Sequence, residues 1–395
     1  MQPKTLLIKN GKIETMSAQG CVEGDILIQD GKIVQVGGNL SGRFDDVQVI
    51  DAEGHYITPG LIEAHSHVGM WESSIGFEGE DSNEAVAPNT AWVRAIDGFN
   101  PNDIAVHEAL AMGVITVATG PGSANVLGGS FVALKLYGDC VDDMIIQDPI
   151  AMKCAFGENP KRVYNYQHKM PTTRMGTAAV LREALIQAQS YMQKHDQAAA
   201  EGKPAPDRDL KHEALVPVLR GEIPLKAHVH RADDIFTAIR IAKEFGIRIT
   251  LDHCTEGHLI ADRVAACGFP AIVGPSYGHR SKFELKEKSF TTAGVLARAG
   301  VKVAITTDAN VLPQSSLPLM AAMAVSEGLD AHEGLRAITI NPAEILGLDA
   351  RIGSLEAGKD ADVVIWNTHP FVLDAKPLYV IVDGCLVAGT KCPKA

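Results

Sequence analysis

Apolar and polar positions along the chain fall into three regimes. At the start, short alternating runs cover Thr5 to Asn10, Asp25 to Gln29 and Ile33 to Val36, punctuated by Asn10-Gly11-Lys12 and Asp30-Gly31-Lys32. Asn-Gly and Asp-Gly between alternating runs predict strands joined by tight turns. The far end repeats the style, with Ala361 to Trp366, Tyr379 to Val382, Asp383-Gly384 and Cys385 to Val387. Two β-rich ends around a mixed middle predict a small β-sandwich domain built from both chain ends, residues 1–56 and 344–395.

Between them, residues 57–343 alternate strand and helix patterns. Helix Ile104 to Met112 precedes strand Val114 to Ala118, and Ile150 to Ala155 is another apolar run. A long helix is expected over Thr177 to His195, followed by a mobile surface loop from Gln197 to Asp209, rich in Ala, Gly, Pro and charge. Strands are then expected at Leu225 to His228, Ile247 to Asp252, Ala271 to Gly274 and Lys302 to Thr307, with helices at Asp233 to Phe245, Leu259 to Cys267 and Thr292 to Ala299. This alternation predicts an α/β fold: a (β/α)8 TIM-type barrel carrying the terminal β domain. No internal repeat or low-complexity tract interrupts it.

Composition narrows the class. A chain of 395 residues, 46% hydrophobic and 21% charged, suits a globular protein, and no apolar run approaches the roughly 18–20 residues needed to span a bilayer. The first residues run straight into a strand pattern, so no targeting segment is expected. Seven cysteines without CxxC pairing fit a reducing cytoplasm. The net charge of −12 argues against a nucleic-acid footprint.

Candidate chemistry collects where apolar runs end, because a barrel builds its site at the C-terminal ends of its strands. Pro59-Gly60-Leu61-Ile62-Glu63-Ala64-His65-Ser66-His67 ends one run with two histidines, which in an extended strand share a face and can reach one cation. Such a pair alone is weak evidence. Four further runs end in the same way, with Lys153, His228, His253 and Asp308. His228-Val229-His230 is a second HxH; His228 follows the apolar run directly and is assigned to metal, His230 to substrate or to support of the ligands, although a register shift of two would exchange them.

Pro-Gly-Leu-Ile-x-x-His-x-His, with Asn341-Pro342-Ala343-Glu344-Ile345-Leu346-Gly347 and Ile352-Gly353-Ser354-Leu355-Glu356-Ala357-Gly358-Lys359-Asp360-Ala361-Asp362, resembles the amidohydrolase superfamily along essentially the whole chain. The subgroup it most resembles holds imidazolonepropionase-like proteins and metal-dependent dipeptidases. The resemblance implies metal ligands at His65, His67, His228 and His253, Asp308 as last ligand and catalytic proton shuttle, and Lys153 as a bridge between two divalent ions, zinc by expectation. A buried lysine near positive charge has a lowered pKa, so its neutral amine can take up carbon dioxide as a carbamate. Met152-Lys153-Cys154-Ala155 is similar to the surroundings of the carbamylated lysine in isoaspartyl dipeptidases. A carbamate can bridge ions about 3.5–4 Å apart, the spacing of two-metal hydrolases.

The implied reaction is cleavage of an amide C–N bond by a metal-bridging hydroxide, on a dipeptide, an N-acyl amino acid or a cyclic amide. Arg231, Arg280 and Lys282, with His230, are candidates to bind a substrate carboxylate. Loops 119–129 and 157–162 are expected at the pocket rim, and 69–100, long for a loop, as a lid or an oligomer contact. A homo-oligomer acting on a small molecule, with no nucleic-acid or membrane partner, is the expectation. Two alternatives stand beside it: a mononuclear deaminase of a small heterocycle, which the absence of a glutamate soon after His228 weakens, and a metal-free scaffold of the same fold.

Overall fold

A computed structural model describes residues 5–40, 47–74 and 76–391 of the chain. The terminal strands are β1 (Thr5–Glu14), β2 (Cys21–Gln29), β3 (Lys32–Val36), β4 (Val47–Asp51) and β5 (Tyr56–Pro59). The barrel strands are β6 (Leu61–Ser66), β7 (Val114–Thr119), β8 (Leu127–Lys135), β9 (Ile145–Ala155), β10 (Leu225–Val229), β11 (Ile249–His253), β12 (Ala271–Val273) and β13 (Val303–Ile305). The chain then returns with β14 (Val363–Trp366), β15 (Pro377–Val382) and β16 (Cys385–Ala388).

Both chain ends do meet in one sheet, ordered β16-β15-β14-β5-β1-β2-β3, with β4 on β1. Hydrogen bonding links the expected sandwich into this single continuous sheet. It folds around its own core, in which Ile8, Ile26, Ile57, Val363 and Ile381 are buried. The Asp30-Gly31 turn forms as expected between β2 and β3, with φ of 48° and 76°. Asn10-Gly11 does not turn the chain. It is a bulge inside β1, which pairs with β2 on both sides of it. Asn10 takes φ 56° and its amide donates to Asp25 Oδ1 at 2.9 Å. A Cβ on Gly11 would come within 2.2 Å of Ile57 Cδ1, so the bulge needs glycine for close approach.

The second sheet runs β13-β12-β11-β10-β9-β8-β7-β6 and almost closes. Thr306 Oγ1 donates to His65 O at 2.8 Å and His67 N to Ala309 O at 2.7 Å, drawing the end of the last strand against the first. Its strands are buried on both faces, which is why they read as unbroken apolar runs. One strand departs from the expected barrel: β8 runs antiparallel to both β7 and β9. No helix separates β7 from β8, and a short connection returns the chain antiparallel. The long helix also exceeds expectation, running from Arg174 to Ala200 behind the Thr173 cap. Gln197-Ala198-Ala199-Ala200 favours helix, so the connection begins only after it.

The two sheets are joined by buried charge. Lys135, at the end of β8, places its ammonium 2.9 Å from carboxylate oxygens of both Asp360 and Asp362 and 2.6 Å from Asp383 Oδ1. Asp360 also pairs with Lys32 and Arg351, so the Gly358-Lys359-Asp360-Ala361-Asp362 segment is the clasp between barrel and terminal sheet. Removing one partner of a buried ion pair leaves the other uncompensated. Lys135→Met should therefore lower stability by about 3–5 kcal/mol, read as a fall in the urea midpoint at unchanged m-value; an unchanged midpoint would show that the clasp does not hold the domains.

Candidate functional site

Strand alternation turns His65 and His67, at the end of β6, toward the same point. His67 Nδ1 lies 2.6 Å from Gly120 O, and His65 Nδ1 lies 2.8 Å from Asp252 Oδ2. The first is a hydrogen bond and the second a close approach of ring to carboxylate; both favour the ring proton on Nδ1 and leave Nε2 as the acceptor. Both Nε2 atoms face Asp308 Oδ1, at 3.4 Å from His65 and 3.3 Å from His67. Acceptors this close repel one another unless a proton or a metal cation lies among them. Donors bound at roughly 2.0–2.1 Å around a tetrahedral ion sit about 3.3–3.4 Å apart, which these distances match.

A second set faces the first. His228 stands next to the end of β10 and His253 ends β11; with His230 each offers a ring nitrogen, and these three lie within 4.8 Å of one another. The three Nε2 atoms and Asp308 Oδ1 are buried without a hydrogen-bond partner. Burial, reinforced by neighbouring cationic groups, pushes the imidazoles of His228, His230 and His253 below their ordinary range, and it brings His65 to about 3. They are neutral at neutral pH, the form that binds metal. Burial would raise Asp308, but His253, His65 and His67 outweigh it and keep the carboxyl ionised. Neutral imidazoles with one carboxylate fit a divalent ion such as zinc.

Lys153 stands inside β9 with no exposed surface, its amine 3.2 Å from His65 Nε2. Burial pulls its pKa down to about 8, so an appreciable neutral fraction exists near neutrality. The backbone at the ligand positions is itself unusual: His253, Cys254 and Asp308 take φ of 70°, 45° and 51°. Side chains rarely accept this left-handed region, and such strain concentrates at functional sites.

Below the histidines lies a buried ionic floor. Lys226 Nζ is 3.1 Å from Asp252 Oδ2 and donates to Ala64 O at 2.9 Å. Burial opposes the Asp252 charge, yet Lys226 and His65 more than offset this and hold the carboxyl far below its ordinary range. Glu63 accepts from Thr307 N, Thr307 Oγ1 and Gln314 Nε2, tying β6 to the loop that carries Asp308. Burial raises its pKa to about 7, although donors on this scale favour the carboxylate.

The histidines open into a cleft of about 460 Å³, lined also by Trp71, Asn83, Ser123, Asn159, Tyr277 and Lys282. The rim loops 119–129, 157–162 and part of 69–100 thus reach the site. Lys282 Nζ sits 3.2 Å from Asn159 Oδ1 and 3.1 Å from Glu284 Oε1. Arg231 and Arg280 are not brought to the cleft. Arg231 forms a two-pronged pair with Asp233, and Arg280 donates to the carbonyls of Lys286 and Lys288, bracing its own loop. Sequence reasoning missed Lys226, Glu63 and Glu284, and gave Asp252 no role. An acid directly before a strand-end histidine was a usable signal for Asp252; Glu284, after an irregular loop, carried none. Glu284 is fully buried, accepts from Glu158 N at 2.9 Å, and lies so close to Gly157 that a Cβ there would meet its Oε2 at 2.4 Å.

Comparison with known proteins gives a consistent picture. Residues 210–387 match the model of the amidohydrolase family. The crystal structure of an amidohydrolase from Thermotoga maritima MSB8 superposes with a TM-score of 0.94 and 42% identity, covering 97% of this chain and 99% of that one. The amidohydrolase TasK of Hapsidospora irregularis is 30% identical over 91% of this chain, which spans 39% of that relative's length. An imidazolonepropionase of Sphingopyxis alaskensis is 25% identical over 91% of this chain and 90% of its own.

The carboxylate behind His65 is directly testable. Asp252→Asn, with folding verified by circular dichroism, should weaken divalent-metal binding about 10–100-fold, measured by competition with a chromogenic chelator. Unchanged affinity would exclude Asp252 as the group that orients His65.

Proposed function

Since this enzyme belongs to the amidohydrolase superfamily, on its imidazolonepropionase-like side, we propose that it hydrolyses a C–N bond of a small carboxylate-bearing amide, using divalent ions, zinc by preference. His65, His67, His228, His253 and Asp308 would hold them. The observation that carries this reading is that the Nε2 atoms of His65 and His67 both face Asp308 Oδ1, at 3.4 and 3.3 Å, and that His65, His253 and Asp308 each offer a ligand atom within 4.8 Å of the others. Lys153, as a carbamate, would offer the ions one negative charge shared by two oxygens; its burial and lowered pKa support that modification.

Bound ions supply Lewis acidity toward a carbonyl and acidify a water. Asp308, kept ionised by its histidine neighbours, takes a proton from the attacking water and delivers it to the leaving nitrogen as the C–N bond breaks. Lys282, which lines the cleft with Asn159 and Ser123, would receive a substrate carboxylate, while Arg231 and Arg280 are engaged elsewhere. A dipeptide and an N-acyl amino acid present both an amide and a carboxylate, as does a cyclic amide that carries a carboxylate substituent. No helix among the described residues is long and apolar enough to cross a membrane. Cytoplasmic location and a homo-oligomer complete the proposal, the former supported by unpaired thiols at Cys21, Cys140, Cys154 and Cys254.

Metal analysis of the purified enzyme, followed by a hydrolysis screen over dipeptides, N-acyl amino acids and cyclic amides, tests the reading. Two ions per chain and amide hydrolysis are expected, and Lys153→Ala should fold, hold less metal and lose activity; full activity in that variant would end the bridging role. One ion with an unmodified Lys153 would favour a mononuclear deaminase. For a carboxylate-bearing substrate, Lys282→Met should raise KM about tenfold or more while kcat changes far less, and an unchanged KM would remove Lys282 from recognition.

A further inference from the structure

His230 has no assigned task in the chemistry above, yet its environment is that of a ligand. It shares a strand face with His228 two residues away, and their ring centroids are 4.6 Å apart. Its ring stacks on that of His253 at 4.9 Å. Thr255 Oγ1 engages its Nδ1 at 2.7 Å, just as Gly274 O engages His253 Nδ1 at 2.8 Å. Its Nε2 is buried and unpartnered, as are those of His228 and His253, and the three residues each offer a ring nitrogen within 4.8 Å of the others.

A fourth acceptor completes the group. Glu284 Oε1 lies 3.7 Å from His230 Nε2 and 3.9 Å from His228 Nε2. Donors around a tetrahedral ion are separated by roughly 3.3–3.4 Å, so only small adjustments separate this arrangement from a closed site. Three neutral imidazoles leave both charges of a divalent ion uncompensated. A fully buried carboxylate beside them supplies negative charge where the dielectric is low, and it shares that charge with the Lys282 ammonium 3.1 Å from the same Oε1. Its seat is built for the purpose: Glu158 N donates to Oε2, and only glycine fits at position 157.

We propose that His230 is a direct ligand of the second divalent ion, held by the imidazoles of His228, His230 and His253 with Glu284 beside it, so that this ion stays bound without a carbamate on Lys153. The inference rests on the metal-dependent reading above and assigns a ligand that the reading does not require. Zinc is one fitting ion, and cobalt(II) is a visible probe of the same site.

The experiment is titration of the chelator-stripped enzyme with cobalt(II) in carbon-dioxide-free buffer, following visible absorption and metal content. Lys153→Ala should retain one ion. His230→Ala should weaken the second ion by about 100-fold or more and Glu284→Gln by about tenfold, and Lys153→Ala with His230→Ala should hold no ion at the triad. His230→Gln, close in size to the native side chain, serves should alanine disturb folding. A second ion bound with unchanged affinity in both His230 variants overturns this inference alone. Wild-type enzyme that binds no divalent ion overturns both readings.

Discussion

The site depends on one buried ionic contact, that of Asp252 with Lys226 and His65. A carboxylate in the barrel interior is tolerated only with compensating charge and hydrogen bonds, and here both partners come from other strands: Lys226 from β10 and His65 from β6. The contact therefore does two things at once. It crosses the barrel, with Lys226 also capping Ala64 O, and it fixes which nitrogen of His65 faces the cleft. A ligand whose tautomer is set from below cannot rotate away from its neighbours, which is how a floor of charges preorganises the imidazoles above it.

A similar device operates at the other end of the fold. Lys135 gathers Asp360, Asp362 and Asp383 between barrel and terminal sheet, so a segment that reads in sequence as a family signature has a mechanical meaning. Its acids are there to be paired, and they anchor the end of β8, the antiparallel strand. Neighbouring β9 carries Lys153, so the clasp steadies one wall of the candidate site from outside.

Much of this was legible in the sequence because barrel strands are buried on both faces and end in polar residues. His65, His67, His228, His253 and Asp308 all stand at such ends, and the structure gathers them. What stayed illegible depended on pairing across long separations. Glu284 reaches His230 only because the loop after β12 folds back against Gly157. Arg231 and Arg280 looked like free cations, but each had a nearer partner in its own segment, Asp233 for one and backbone carbonyls for the other. Asn10-Gly11 looked like a turn because the same left-handed φ that closes a hairpin also makes a bulge. The antiparallel β8 escaped because an apolar run carries no direction.

The strained positions and the converging lone pairs belong to one argument. His253 and Asp308 hold left-handed φ values, a state that costs on the order of 1–3 kcal/mol each, and their side-chain acceptors face other acceptors. Neither feature stabilises the polypeptide by itself; a cation shared among the acceptors would relieve their repulsion and offset the cost of the backbone torsions. Binding energy at such a site is in part folding energy, because an ion that binds only the folded form shifts the equilibrium toward it. The chain can afford the strain since Glu63 and Asp252 restrain the ligands from beneath the cleft and Thr255 from its wall. Burial keeps the imidazoles neutral, so the strain serves a site whose histidines already hold the protonation state that metal binding requires.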